Sequence, residues 1–443
     1  MKSRRPTLSA EARSRAIDAI RGKEPVDAKP QQERKPSPAF ETLTGYRERQ
    51  ELRKMSTSLG IADPTFRQIE GRPGTLSIID DKEILNFASY DYLGLNADPR
   101  PANAAKAAID RYGISASASR LTSGQRPIHR TLEAALASHY GVDDALTFVS
   151  GHATNVSVIS TMTQKGDLII YDAYIHNSAS VGATLSVASR RSFTHNDLDA
   201  LEALLEENAG QYRATLVVVE GHYSMDGDIP DLLRLLNLKA RFGFWLMVDE
   251  AHSLGCIGPT GKGLREVYGV AGAEVDIWMG TLSKTLGSTG GYVAGNSALI
   301  DIIKYEAPGS VYSVALAPAL AAAAACSLEI MELEPERVAR LQARGRFFLD
   351  CAASNGLDTG TSVGSSIVPV IVGSSAIAVA LSMKLLERNI NALPIAFPGV
   401  PIDAARLRFF LTSEHTEAQI SQALAQTANI LTSLRNSPLA TLK

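Results

Sequence analysis

Four short apolar runs constrain this chain more than any other feature: 145–149 (ALTFV), 168–171 (LIIY), 216–219 (LVVV) and 244–248 (FWLMV). Continuous apolar runs of this length suit strands buried on both faces, and helical patterns lie between them. An α/β fold follows, with a large, mostly parallel sheet and helices on both faces. Ligands of such sheets bind outside the carboxyl ends of the strands. Polar residues collect just past those ends: Gly151 and His152, then Asp172 through His176, then Glu220, then Asp249 and His252.

The flanking regions read differently. Residues 84–87 form a further strand, with a turn at Tyr92-Leu93-Gly94. The last ~130 residues carry a helix at 317–334 and strands at 367–372 and 407–411, a smaller α+β domain. The expected layout is a basic extension (1–39), a segment joining the small domain (40–100), a large ligand-binding domain (101–310) and a small C-terminal domain (311–443). The extension carries ten Lys/Arg and five Asp/Glu in residues 1–35, against a net charge of -3 for the whole chain. Leu8, Ala12, Ala16, Ile17 and Ile20 recur at roughly helical spacing, and Pro25, Pro30, Pro36 and Pro38 mark a linker. The extension is read equally as a disordered tail and as a docking helix for an acidic partner.

The bulk properties exclude several function classes. A net charge of -3 gives the whole chain no affinity for nucleic acid. No apolar stretch reaches the ~18 residues that span a bilayer, and the N-terminus lacks a signal-peptide apolar region. Cys256, Cys326 and Cys351 are scattered without metal-type spacing, as expected of reduced thiols in a cytoplasmic protein.

The chemistry lies in 280–287 (GTLSKTLG) and 248–252 (VDEAH). Lys284 stands among small, hydroxyl and apolar residues, where an amine can lose its proton and form a Schiff base. Asp249, after a hydrophobic strand, can hold a pyridinium nitrogen; taken alone, it is equally a helix N-cap. The pair suggests pyridoxal 5'-phosphate (PLP), with the lysine on its aldehyde, the carboxylate on its ring nitrogen and hydroxyls on its phosphate. His252 is placed for the phenolic oxygen and His176 for the ring face. Residues 150–155 (SGHATN) follow a strand and open a helix, whose first amides can cradle a phosphate. Without the lysine motif that segment reads as an ordinary glycine-containing turn. A nucleotide P-loop at 280–287 is excluded because the Gly-Lys-Ser/Thr ending is missing. Arg408 is a candidate fork for an amino-acid carboxylate, while Arg406 reads as a surface strand arginine.

These motifs resemble the α-oxoamine synthases, PLP enzymes of fold type I. The likeness covers about residues 45–435 and rests on 86–94 (NFASYDYLG), 221–228 (GHYSMDGD), 248–252, 280–287 and the stretch from Arg408 through Thr416. It implies Lys284 as Schiff-base lysine and general acid/base, His176 on the ring, Asp249 on its nitrogen and His252 on its phenolic oxygen. It implies Gly151, His152, Thr281 and Ser283 at the phosphate, and Ser224 among the cofactor contacts. Ser313 and Val314 would reach a neighbouring subunit's phosphate, making a homodimer with composite sites. Asp91 and Arg408 would bind substrate. The implied reaction is a decarboxylative condensation of a small amino acid with an acyl thioester on CoA or an acyl carrier protein. Tyr90, at a position where serine palmitoyltransferases often carry Tyr, tilts the expectation to L-serine. The alternatives are a glycine- or alanine-using synthase, a type I aminotransferase, and a non-catalytic subunit of a synthase heterodimer. His152 departs from the aromatic residue that many members carry, and the basic extension, absent from compact members, is expected to dock an acidic acyl carrier protein.

Overall fold

The structure is a computed structural model that describes residues 37–58, 65–397 and 399–437. The helix and most of the linker read from residues 1–38 lie outside the described residues. A short 3-10 turn, Phe40–Thr42, and the helix Thr44–Ser58 belong to a unit that ends at Asp63. Pro64–Lys443 forms a second compact unit, which holds all the motifs above.

Among the described residues of this second unit, thirteen strands make three sheets. The large sheet contains β3 (Asp144–Phe148), β4 (Leu168–Asp172), β5 (Ser189–Phe193), β6 (Thr215–Glu220), β7 (Trp245–Asp249), β8 (Ile277–Thr281) and β9 (Gly291–Gly295), in the order β3-β9-β8-β7-β6-β4-β5. Only β9 runs against the rest, pairing antiparallel with both β3 and β8. The four apolar runs became β3, β4, β6 and β7, as their patterns required. Strand β6 shows why such runs are continuous. Leu216 and Val218 pack into one buried cluster, Val217 and Val219 into another, so both faces of the sheet are covered. Each such side chain contributes about 1.5–3 kcal/mol by leaving water.

Two small three-stranded sheets join distant parts of the chain. In one, β1 (Leu76–Ile79) pairs with β2 (Lys82–Asn86), and β2 pairs in parallel with β11 (Ile390–Asn391). In the other, β13 (Ala405–Phe410) lies between β10 (Ile367–Gly373) and β12 (Leu393–Ile395). Phe87 sits edge-on to Phe409 and stacks on His415, which ties the two small sheets together. The predicted helix at 317–334 is present as Pro318–Leu333. Among the described residues no helix is long and apolar enough to cross a membrane.

Arg406 corrects one expectation. It is 3% exposed rather than on the surface, and it pairs with Asp226. A charged side chain at an inward strand position can be buried because a carboxylate faces it, and strand periodicity alone cannot show the partner.

Candidate active site

The parallel strands deliver their following residues to one edge of the sheet. Gly151 follows β3, His176 follows β4, Ser224 follows β6, His252 follows β7 and Lys284 follows β8. All five line one cavity of about 390 Å³, together with His152, Asp249, Thr281, Ser283 and Arg408. Asp91 lines an adjoining cavity that also touches Lys284, Ser283 and Tyr90. Its carboxylate is committed locally, accepting the Asn96 amide at 3.1 and 3.2 Å, and burial pushes it up to about 6. Ser313 and Val314 line neither cavity; Val314 is 47% exposed and Tyr312 beside it 86%.

Lys284 is fixed by a tight turn. Its carbonyl accepts the Gly287 amide at 2.8 Å, and Gly287 takes a φ of +57°, which glycine adopts without strain. Its amine lies 2.8 Å from His252 Nε2, and His252 Nδ1 lies 2.8 Å from the Tyr92 hydroxyl. Burial holds His252 well below its ordinary range, so the ring is neutral, and pushes the Tyr92 phenol well above its own. Desolvation lowers Lys284 to about 8, against the opposing pull of Asp249 and Glu220. A substantial neutral fraction near pH 8 is what nucleophilic and basic chemistry require of a lysine.

Asp249 is 3% exposed and doubly supported. Ala251 N–H donates to Oδ1 at 3.0 Å and Asn155 Nδ2 to Oδ2 at 2.8 Å. Asn155 Nδ2 also donates to Ser178 Oγ at 2.9 Å, and that hydroxyl lies 2.7 Å from His176 Nδ1. One amide thus links the two residues expected at the ring nitrogen and the ring face. Sequence reasoning assigned no role to Asn155, Ser178 or Tyr92. Asn155 was the most accessible of these, since it lies one turn past Gly151 on the same face of a helix. Glu220, also unassigned, ends β6 directly opposite Asp249 and is 2% exposed. Burial and the neighbouring Asp249 push it up to about 8.

The cavity fits PLP on its own features. The helix Gly151–Met162 starts at its wall, with Ser150 Oγ accepting Ala153 N–H at 3.0 Å. A Cβ on Gly151 would meet the Thr281 side chain at 3.0 Å, so glycine keeps this end of the helix open beside the Thr281 and Ser283 hydroxyls. Helix-start amides and two hydroxyls suit a phosphate. At the far side, Arg408 donates from Nη1 to Ser224 O at 2.9 Å, while its buried Nε has no partner. Asn155 Oδ1 and Glu220 Oε1 are likewise buried without partners. Unsatisfied buried groups cost free energy unless something else meets them.

Comparison with known proteins places the chain in a family. The family model for aminotransferase class I and II matches residues 82–426. The 8-amino-7-oxononanoate synthase of Symbiobacterium thermophilum is 41% identical over 365 residues, covering 82% of this chain and 93% of that one. That of Geobacter metallireducens is 40% identical over 370 residues, with the same two coverages. Among solved structures, a serine palmitoyltransferase from S. paucimobilis with bound PLP and myriocin is similar with a TM-score of 0.85 and 29% identity, covering 89% of this chain and all of that one. An 8-amino-7-oxononanoate synthase from Francisella tularensis gives 0.70 and 28%, covering 79% and 98%. The chain therefore belongs to the aminotransferase class I and II family and, within it, to the α-oxoamine synthases, PLP-dependent acyltransferases of fold type I.

Proposed function

We propose that this enzyme condenses alanine or glycine with an acyl thioester, releasing CO2 and a free thiol and leaving an α-amino ketone. The observation that carries the reading is one cavity holding an amine, a buried carboxylate and a guanidinium with a free edge: Lys284, Asp249 and Arg408. The expectation of L-serine rested on Tyr90. Relatives near 40% identity support the glycine- or alanine-using alternative better, since 8-amino-7-oxononanoate carries amino and oxo groups on adjacent carbons, with a methyl next to the amino carbon as alanine would leave it.

PLP supplies an electron sink for the pair left at the amino acid's α-carbon when a proton or CO2 departs. Asp249 would hold the ring nitrogen, His176 the ring face and His252 the phenolic oxygen, with Ser224 as a further contact. Gly151, His152, Thr281 and Ser283 would hold the phosphate. Arg408 grips the amino-acid carboxylate, and Asp91 borders the route of the acyl donor. Lys284 removes the α-proton; the α-carbon bonds to the acyl carbonyl as the carbon–sulfur bond breaks, and the thiolate takes a proton from solvent. The original carboxylate then leaves as CO2, and Lys284 returns its proton to the α-carbon. His252, neutral and hydrogen-bonded to Lys284, orients that amine between the two transfers.

A homodimer with composite sites belongs to the same proposal. The exposed Tyr312 and Val314 support it, because Ser313 and Val314 lie outside their own chain's cavity. The four-part domain layout and a cytoplasmic location also stand as proposals. The test is an absorbance titration of the PLP-loaded protein with L-alanine, glycine and L-serine, followed by CO2 release with an acyl thioester. A spectral shift and CO2 release with L-alanine or glycine are expected. A response to L-serine alone would return the reading to serine, and keto-acid exchange without CO2 release would replace it with transamination.

A further inference from the structure

We infer that Arg406 is a positioning residue for Arg408, acting through the segment after β6. The inference rests on the proposed role of Arg408 as the carboxylate grip. Strand periodicity places Arg406 and Arg408 on one face of β13, two residues apart. Both reach the same short segment. Arg408 Nη1 donates to Ser224 O at 2.9 Å, Arg406 Nη1 donates to Met225 O at 3.1 Å, and Arg406 also pairs with the Asp226 carboxylate. Three successive residues are thus held by two arginines from another sheet.

Only Arg408 faces the cavity. Arg406, on the same face but further along the strand, reaches a charged cluster at the ends of β4 and β5. Asp226 Oδ2 lies 3.9 Å from His195 Nε2, and His195 bridges Asp172 at 2.9 Å and Asp228 at 3.1 Å. Asn196 Nδ2 donates to Asp228 at 2.9 Å, and the Tyr223 hydroxyl donates to Asp172 at 2.9 Å. Arg406 is therefore where β13 is tied to the edge of the large sheet. Its anchoring of Met225 and Asp226 fixes the Ser224 carbonyl on which Arg408 rests. A buried ion pair adds little net stability over apolar residues of the same size, but it does fix where both partners sit. Arg408 has a free Nε and a guanidinium 4.6 Å from the Phe410 ring centroid, so a shift of Ser224 turns its fork away from a carboxylate.

The experiment is a double-mutant cycle on the PLP-loaded enzyme, read by calorimetric binding without acyl donor. The proteins are wild type, R406M/D226N (both charges removed together), R408M and the triple variant; the ligands are L-alanine and ethylamine, which lacks the carboxylate. R406M/D226N is expected to weaken L-alanine about ten-fold, to leave ethylamine unchanged, and to add nothing in the R408M background. Equal losses for both ligands, or losses that multiply in the triple variant, would overturn the inference. If R408M weakens L-alanine while R406M/D226N does not, the inference fails and the Arg408 reading stands. If R408M itself leaves L-alanine unchanged, the Arg408 reading fails and takes the inference with it. Should the double variant not fold, R406K, which keeps a charge opposite Asp226 but cannot fork to Met225 O as well, is expected to give the same pattern on a smaller scale, and its absence counts against the inference.

Discussion

Two polar clusters sit at the same edge of the large sheet, and burial acts on them in opposite ways. Around Lys284 it drives groups towards neutrality: the lysine falls to about 8, Glu220 rises to about 8 and His252 is held well below its usual range. Around His195 pairing wins. Burial opposes the imidazolium, but hydrogen bonds to Asp172 and Asp228 more than offset it and raise His195 to about 10, while Asp228 is lowered. A group that must exchange protons needs its two states close in free energy, whereas a group that holds geometry is better locked in one. The first cluster is suited to chemistry and the second to position.

The largest expected break of this contrast is at Lys284. Replacing Lys284→Ala should lower the rate of CO2 release by roughly 10³-fold or more, measured with saturating amino acid and acyl thioester. A comparable loss from His195→Asn would show that the two clusters do not divide the work. The next effect is on stability. His195 has a folded value above its ordinary 6.5, so its contribution is complete below pH 6.5 and is lost as pH rises through about 10. Unfolding free energy should fall across that window by an amount on the order of a few kcal/mol, read as a falling melting temperature, and His195→Asn should flatten the fall. A finer test uses the cofactor-free protein. The rate of Lys284 acylation by acetic anhydride should titrate near 8, and Asp249→Asn should shift that midpoint down, because Asp249 favours the charged amine. An upward shift would reverse the electrostatic assignment. The smallest change is expected at Tyr90, whose ring centroid lies 5.7 Å from the Lys284 amine. Tyr90→Asn should alter the preference between L-alanine and L-serine by no more than about ten-fold in kcat/KM.

The sequence carried the first cluster more openly than the second. Asp249, His252 and His176 each follow an apolar run that reads as a buried strand, Lys284 is marked by its own motif, and the fold brings all four together at strand ends. The second cluster had no such marker. His195 follows β5, whose SRRSF sequence lacks an apolar run because it is an edge strand with exposed central residues. Strand β9 was hidden for another reason: its outer positions are glycines, needed because a Cβ on Gly291 would strike the Gly151 backbone at 2.7 Å. Strand β8 was passed over because its carboxyl end is the lysine motif, which reads as a turn. Arg406, Asn155 and Tyr92 act through partners that are remote in sequence, and no spacing rule reaches across 94 residues from Asn155 to Asp249.

The reversed strand has a consequence for how the protein is made. Strand β3 leads into the helix that starts at the cavity wall, yet its sheet partner is β9, with Asp144 opposite Gly295. A chain emerging from the ribosome has synthesised the helix Gly151–Met162 long before β9 exists. Pairings this distant in sequence form late, because the intervening chain must first be ordered. Lys284 is synthesised just ahead of β9, so the reactive amine and the wall that receives the phosphate become fixed together. A nascent chain that stops short of Gly295 therefore lacks a pocket in which to trap cofactor, and cofactor capture reports that the large sheet is complete.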